Sequence, residues 1–360
     1  LRKQYDVVEI SPEMAISQDV DALLVPLPSS LQTDEQGFVS DYIRSGKPAL
    51  ILVDPLPAVN PTLSPTEWVG DGNPFTYPPG QPRPGPRGNV REWIGRLGVD
   101  WEPTRIVWDS YNPHPELAHM PEDVVFLGAG NGNDATFSTT DPMTSQLQEL
   151  VLLYPGQLGP TDDLRYEFEP LLRSGTVSGT NGYFSLVRGS PFGPQVNPSP
   201  PRRQDDDDYI LAARVRFVGT DTVVVPENTR GDREDDGDEG AEDTAESDDL
   251  TAEPAGEVDI IVVADLDFVS EQFFAIREQA PGGLNFDNIT FFLNAMDTLL
   301  EEDSFIDLRS RRARHRTLER VEAQTAEYIQ QRATEERQAE EDAEQALTDA
   351  QQRLNDRVAE

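Results

Sequence analysis

The side chains with the clearest potential for chemistry are four acids at the ends of apolar, strand-like runs: Asp54, Asp109, and the pair Asp265 and Asp267. Ligands of open α/β sheets lie beyond the carboxyl ends of the strands, so the four carboxylates could converge on one cleft. There they would bind a ligand or a cation, or act as acid and base. The alternative is structural: each carboxylate accepts hydrogen bonds from the N–H groups of the turn that follows it.

Other motifs give little support for catalysis. The glycine-rich stretch 128–133 lacks the third glycine of a dinucleotide-binding loop and is interpreted as a surface turn. His114 and His119 have neither the spacing nor, between prolines, the helical context of a zinc pair. The sequence contains no Cys, no P-loop and no Gly-x-Ser-x-Gly nucleophile elbow. We therefore predict no catalytic residues, no metal and no cofactor.

One cluster of positive charge stands out in an acidic chain, between residues 309 and 316. It is interpreted either as a docking patch for an acidic partner or for lipid head groups, or as a neutralising group for neighbouring acids. Its arginines are Arg309, Arg311, Arg312, Arg314 and Arg316.

The formal net charge of the 360-residue chain is −38, which makes nucleic acid a poor partner. Part of that charge is local, since residues 232–249 contain eleven Asp or Glu and one Arg. The excess elsewhere indicates a strongly solvated surface. The chain starts at Leu1 and runs directly into the strand-like stretch 5–10, so we expect a piece of a longer protein whose other parts could hold targeting or membrane segments.

The elements that would position the acids follow an α/β pattern. Continuous β-branched runs such as 258–264 are typical of strands buried on both faces of a parallel sheet, and 287–300 has the apolar periodicity of a helix. We predict an α/β fold with a mostly parallel open sheet, flanking helices, an irregular middle lobe and a long charged helix at the C-terminus. The predicted strands are 6–10, 21–26, 49–53, 105–109, 124–127, 150–154, 210–218 and 258–264, and the predicted helices are 33–45, 90–97 and 287–300.

Composition shifts divide the chain into five parts. Ten prolines between 55 and 86 predict a long loop or flap, and the almost wholly polar insert predicts disorder. The segment after residue 310 has no Gly or Pro, which favours a coiled coil or a single stalk-like helix. The parts are an N-terminal α/β part (1–125), a middle lobe that completes the same body (126–226), an acidic disordered insert (227–257), a strand–helix unit (258–310) and a helical tail (311–360).

Several short motifs occur in an order that resembles a known family. They include Asp19–Val25, Tyr42–Pro48, Val262–Phe268, Phe292–Asp297 and Ile306–Arg311. Together they resemble the extracytoplasmic part of the GldG-like auxiliary proteins of gliding-motility-type ABC transporters, over roughly residues 1–330. The acidic insert and the charged tail depart from a plain family member.

The resemblance implies an α/β domain related to those of intraflagellar transport proteins, and more distantly to amidotransferase-like folds. It also implies flanking membrane helices in segments missing from this chain, and ABC permease and ATPase subunits as partners. The family has no established catalytic residues, so none are assigned here.

The resulting hypothesis is a non-enzymatic auxiliary subunit at the extracytoplasmic, periplasmic face of the inner membrane, which binds a ligand or its partner subunits. Two alternatives remain open. One is a hydrolase of an envelope glycan that uses Asp265 and Asp267, with Asp54 or Asp109 across a cleft. The other is a structural spacer that forms homo-oligomers through residues 311–360.

Overall fold

The computed structural model describes residues 2, 4–66, 87–190, 193–197, 199–205, 208–217, 258–279 and 284–309, with a few isolated positions beyond 309. The strands in these ranges are β1 (Leu23–Pro26), β2 (Ala49–Leu52), β3 (Val99–Trp101), β4 (Arg105–Asp109), β5 (Val124–Gly128), β6 (Glu149–Leu153), β7 (Leu158–Pro160), β8 (Tyr166–Arg173), β9 (Ser178–Gly182), β10 (Val187–Ser190), β11 (Gly193–Val196), β12 (Ile210–Phe217) and β13 (Asp259–Val263). The helices longer than one 3₁₀ turn are α1 (Thr33–Arg44), α2 (Val90–Gly95), α3 (Tyr183–Leu186), α4 (Glu271–Gln279), α5 (Asn288–Leu299) and α6 (Ile306–Arg309).

Two strands at the centre of the main sheet set the position of the predicted site. β2 pairs in parallel with both β1 and β13, and Leu52 lies opposite Val263. Every residue of β2, and residues 260–263 of β13, are at most 1% exposed. The β-branched run 258–264 therefore forms the doubly buried strand that its composition predicts.

The prediction of a mostly parallel sheet is wrong. The seven-stranded sheet has the order β1-β2-β13-β12-β7-β3, with β8 also paired to β12, and its pairs beyond β13 are antiparallel. Three further sheets, β4 with β9, β5 with β6 and β10 with β11, are antiparallel pairs. A parallel pair needs a long crossover, usually a helix, whereas α3, with four residues, is the one α-helix in the described residues between β4 and β13.

Alternate residues of the central strands enter two separate cores, one on each face of the sheet. Leu50, Leu52 and Ile261 pack with α5 and Phe268, while Ile51 and Val262 pack with α1 and α2 on the opposite face. The alternation follows from the two-residue period of a strand. Helices thus cover both faces of the parallel part of the sheet.

The N-terminal segment differs from its prediction. Residues 6–10 form no strand, and the chain there is an unpaired segment that leads to β1. Tyr5 packs against the α5 side of the sheet, whereas Ile10, Ile16 and Val20 pack against the α1 side. The segment therefore passes from one face of the sheet to the other, and its β-branched residues are not used in a ladder.

The remaining predicted strands and helices form close to their expected limits. The acidic insert, most of the proline-rich stretch and the charged tail lie outside the described residues, so these predictions and the five-part division stay predictions. Among the helices that the structure describes, none has the length and apolar composition of a membrane span.

Candidate functional site: a buried carboxylate cluster

Three of the four predicted acids come together. Asp54 follows β2 and Asp265 follows β13, each two residues past its strand, and because the two strands are parallel and in register the side chains lie side by side. With Asp267 they form a group in which one carboxylate oxygen of each residue lies within 4.8 Å of the others. All three residues are at most 4% exposed. The structure thus brings together three of the four acids that could have converged on one cleft, and their role as ligand-binding residues stays a prediction.

Main-chain amides occupy the oxygens of the first two acids. Asp54 accepts from Leu56 N at 2.8 Å and from Leu266 N at 3.0 Å, one bond on each oxygen. Asp265 accepts from Leu153 N at 2.8 Å and from Asp267 N at 2.6 Å, again on separate oxygens. Each carboxylate therefore fixes its own turn and also ties that turn to a neighbouring segment.

Asp267 reaches into the loop that follows β2. Its Oδ2 accepts from Ala58 N at 2.5 Å, and Val59 N also bonds to this carboxylate. The cluster thus joins the turns after β2 and β13 and the end of β6. These are the segments where an α/β sheet would be expected to present a ligand site.

Burial dominates the electrostatics of the cluster. It raises the pKa of Asp54 well above the usual range, and the nearby charges of Asp265 and then Asp267 raise it further. The pKa of Asp265 is raised in the same way, by burial and then by Asp267, and the pKa of Asp267 is raised by burial. Bonds from main-chain N–H groups oppose these shifts without cancelling them. The cluster consequently favours protonated carboxyl groups.

This arrangement does not support the hydrolase alternative. Asp54 does lie close to Asp265 and Asp267, but a glycosidase needs carboxylates that face a cleft wide enough for a sugar and a water. Here the acids are shielded from solvent and accept main-chain N–H bonds. Their oxygens are of the kind that hard cations prefer, and they are the one group of described residues with the spacing of a metal site. The hydrogen bonds from main-chain N–H groups favour the structural interpretation, in which the acids fix turns.

Asp109 does not belong to this cluster. It ends β4, in a separate two-stranded sheet, and accepts from Tyr111 N at 2.9 Å and Gly175 N at 2.6 Å. Burial raises its pKa to about 7, because the two amide bonds only partly offset desolvation. Asp109 is therefore also buried and also fixes a turn, but it is not part of a common site with the other three acids.

Of the arginines in the basic cluster between residues 309 and 316, the structure describes Arg309. Arg309 is not a free surface cation: its guanidinium pairs with Asp297 at 2.5 Å and donates to Asn294 at 3.2 Å. The neutralising interpretation thus fits Arg309. Arg311, Arg312, Arg314 and Arg316 lie outside the described residues.

The sequence analysis did not predict a second set of buried polar side chains, which lies on α5 and at its N-terminal end. Asn288 brackets Val151 of β6, accepting from its N at 3.1 Å and donating to its O at 2.7 Å. Asp287 accepts from Gln148 N and Glu149 N, and Asn294 donates to Met143 O at 3.0 Å. The available signal was the presence of amides and acids in an otherwise apolar helix, since buried polar groups need partners.

Comparison with known proteins gives a family for most of the chain. A family model for auxiliary components, described as "ABC-type uncharacterized transport system", matches residues 1–295. A search of curated proteins returned no match. Among solved structures, "mmIFT52 N-terminal domain" is similar at 10% sequence identity and a TM-score of 0.38, over 83% of this chain and 86% of that chain.

Proposed function

Since the chain belongs to this auxiliary family of ABC-type transport systems, we propose that it is a non-enzymatic, extracytoplasmic auxiliary subunit of such a system. In this proposal the α/β body binds a ligand or the permease and ATPase subunits. The observation that carries it is the family match over residues 1–295, which includes the central sheet, both helical faces and most of α5.

The geometry of the acids supports the non-enzymatic part of the proposal. Catalytic carboxylates must reach a substrate and exchange protons with it. Asp54 and Asp265 are 0% exposed, and both oxygens of each accept main-chain bonds. Such groups shape the loops after β2 and β13, and any ligand would meet those loops rather than the carboxylates themselves.

Partner binding is proposed to involve the basic run after α6. Arg309 is already paired with Asp297, so the arginines of the run that remain for docking are Arg311, Arg312, Arg314 and Arg316. In a chain of net charge −38, a run of four arginines gives an acidic surface of the permease a local point of attraction.

The finer assignments belong to the same proposal. The kinship with GldG-like proteins of gliding-motility-type transporters rests on the order of the motifs from Asp19–Val25 to Ile306–Arg311. The periplasmic location follows from that kinship, and the membrane would be reached through segments that flank this chain.

Affinity purification of the tagged full-length protein from detergent-solubilised native membranes tests the proposal. We expect an ABC permease and its ATPase to copurify. Replacing two arginines of the run, Arg311→Gln with Arg312→Gln, should reduce their recovery. The matched control, Arg91→Gln with Arg96→Gln, removes two exposed charges elsewhere and should leave recovery unchanged. Recovery of the unmodified protein without either subunit would contradict the proposal.

A further inference from the structure

The carboxylate of Asp297, in the last turn of α5, lies between two segments that are far apart in the sequence. The hydroxyl of Tyr5 donates to its Oδ1 at 2.5 Å. The guanidinium of Arg309 pairs with its Oδ2 at 2.5 Å. Asp297 is 3% exposed, so both partners meet it away from bulk water. One buried side chain thus holds the N-terminal segment and the residue that precedes the 310–360 region.

Neighbouring contacts fix the geometry of this group. Arg309 also donates to Asn294 Oδ1, one turn earlier on α5, and Asn294 in turn donates to Met143 O. Burial, together with the negative charge of Asp297, raises the pKa of Tyr5, so its hydroxyl stays a hydrogen-bond donor at neutral pH. Asp297, Tyr5, Arg309 and Asn294 are called the clasp below.

The two segments have few other attachments close to the clasp. Within the described residues, the main-chain groups of residues 6–9 make no hydrogen bonds, and their side chains are exposed. Residues 301–305 are exposed as well, and Ile306 is the next buried side chain. Segments with so little burial open at a lower free energy than the body they are attached to.

The two contacts depend on each other because they share one carboxylate. If Arg309 leaves, Asp297 is a buried charge with only a hydroxyl for a partner, and such a charge is strongly disfavoured. Its side chain must then turn toward water or admit water, and in either case Tyr5 loses its acceptor. Loss of Tyr5 similarly opens the carboxylate to solvent and weakens its pairing with Arg309.

We propose that the clasp couples the two segments, so that residues 4–9 and 303–309 are held together or released together while the α/β body stays folded. A carboxylate- or phosphate-bearing partner that competes for the Arg309 guanidinium would thereby free the N-terminal segment too. This inference rests on the contacts of Asp297 and does not depend on the transport proposal.

A nitroxide label and hydrogen–deuterium exchange on the full chain test the coupling. The chain contains no Cys, so Val8→Cys, at an exposed position, takes a single label in the N-terminal segment. Arg309→Gln should increase the mobile fraction of that label, and Tyr5→Phe should speed exchange in a peptide from 303–309. Typical coupling free energies predict a change of about 5- to 150-fold in the open population of the remote segment. Asp297→Asn should affect both readouts. Exchange in β2 and β13, and the thermal midpoint, report on the body.

Two variants serve as matched controls. Tyr166→Phe removes a tyrosine hydroxyl that bonds to Arg96 O, and Arg173→Gln removes an arginine that pairs with Asp208. Neither should change the mobility of the label at Val8→Cys or the exchange in the 303–309 peptide. The proposal is overturned if each clasp variant loosens only its own segment. It is also overturned if the clasp variants speed exchange throughout β2 and β13, since the clasp would then be part of the global core. Tyr5→Phe, which removes a single oxygen, keeps the test decisive if the other variants fold poorly.

Discussion

At the carboxyl ends of β2 and β13, main-chain amides hold Asp54, Asp265 and Asp267 in a volume closed to solvent. Their pKa values are raised in the fold, so the folded state binds protons that the unfolded chain releases. The contribution of these three groups to the free energy of unfolding is then largest below about pH 4. It falls as the pH rises from about 4, the unfolded pKa, through the raised folded values.

Asp267→Asn tests this account of the cluster. Asp267 raises the pKa of both other acids, and the amide oxygen of Asn can still accept from Ala58 N. We measure the free energy of unfolding of the variant minus that of the parent. We expect this difference to be more favourable to the variant at pH 8 than at pH 4.5, by about 1 kcal/mol or more, the equivalent of one pKa unit. Urea unfolding at the two pH values, with and without EDTA or added Mg²⁺, measures it.

Two results would contradict the proton-based account of the cluster. One is an equal loss of stability at both pH values, which would mean that charge repulsion is absent. The other is a stability that EDTA lowers and Mg²⁺ restores, which would mean that a cation neutralises the cluster.

Asp109 provides an independent pH probe away from the cluster. Burial raises its pKa to about 7, and a rise of that size corresponds to about 3 kcal/mol of stability lost between pH 4.5 and pH 8. In Asp109→Asn this part of the pH dependence should disappear, although Gly175 N loses an acceptor at every pH. Asp100→Asn, at an exposed position on β3, is the control and should keep the parent pH dependence. An unchanged slope in Asp109→Asn would refute the assignment.

Among the secondary-structure elements, α5 connects several segments on its face of the sheet, the face opposite α1 and α2. Its N-terminal end is bonded to β6 through Asp287 and Asn288, and its C-terminal end holds Tyr5 and Arg309 through Asp297. Of these residues, Asp297 and Arg309 lie within the motifs that carry the family resemblance. The physical role of the polar residues is to fix where a buried helix sits, since apolar packing alone is not directional.

Asn288→Ala measures the strength of this attachment. It leaves Val151 N, Val151 O and Phe268 O without their side-chain partner in a buried site. We expect a loss of about 2–4 kcal/mol in the free energy of unfolding. Asn197→Ala, which removes two long bonds on the surface, should cost less than about 0.5 kcal/mol. Similar effects of the two variants in denaturant titrations would show that the bonds to β6 contribute little.

The sequence was most informative where one physical signal dominates. The β-branched run 258–264 and the apolar face of 287–300 have no other stable placement than a buried strand and a buried helix, and both form as predicted. Residues 6–10 have the same local signal, but Tyr5 binds Asp297 and Ile10 enters the opposite core, so tertiary contacts override the β propensity. The direction of the pairs beyond β13 was not predictable, since it depends on connections rather than on the strands themselves.

Some features of the candidate site could likewise be predicted from the sequence, and others could not. Both acids, Asp54 and Asp265, could be placed at strand ends from the sequence, but they meet because β2 and β13 are parallel neighbours in register, and the sequence does not specify that adjacency. That Asp109 lies in a different sheet depends on its pairing with β9, a Ser- and Gly-rich strand with no apolar pattern. That the acids accept amide bonds depends on loop geometry, which residue types do not specify.

At the scale of the whole molecule, helices cover both faces of the central parallel strands, and the chain belongs to an auxiliary family of ABC-type transport systems. The buried acids fix the turns of this body, and the polar contacts of α5 hold that helix against β6. We propose that its work is done through binding, by the loops around the cluster and by the arginines that follow α6.

Sedimentation of detergent-solubilised native membranes tests whether this protein is a member of a transport complex. Antibodies or mass spectrometry would follow this protein, the permease and the ATPase through the gradient. We expect the three to sediment together in one fraction, and we expect that fraction to survive a salt wash that removes peripheral contaminants. Sedimentation of this protein as a free monomer, apart from both subunits, would contradict this expectation.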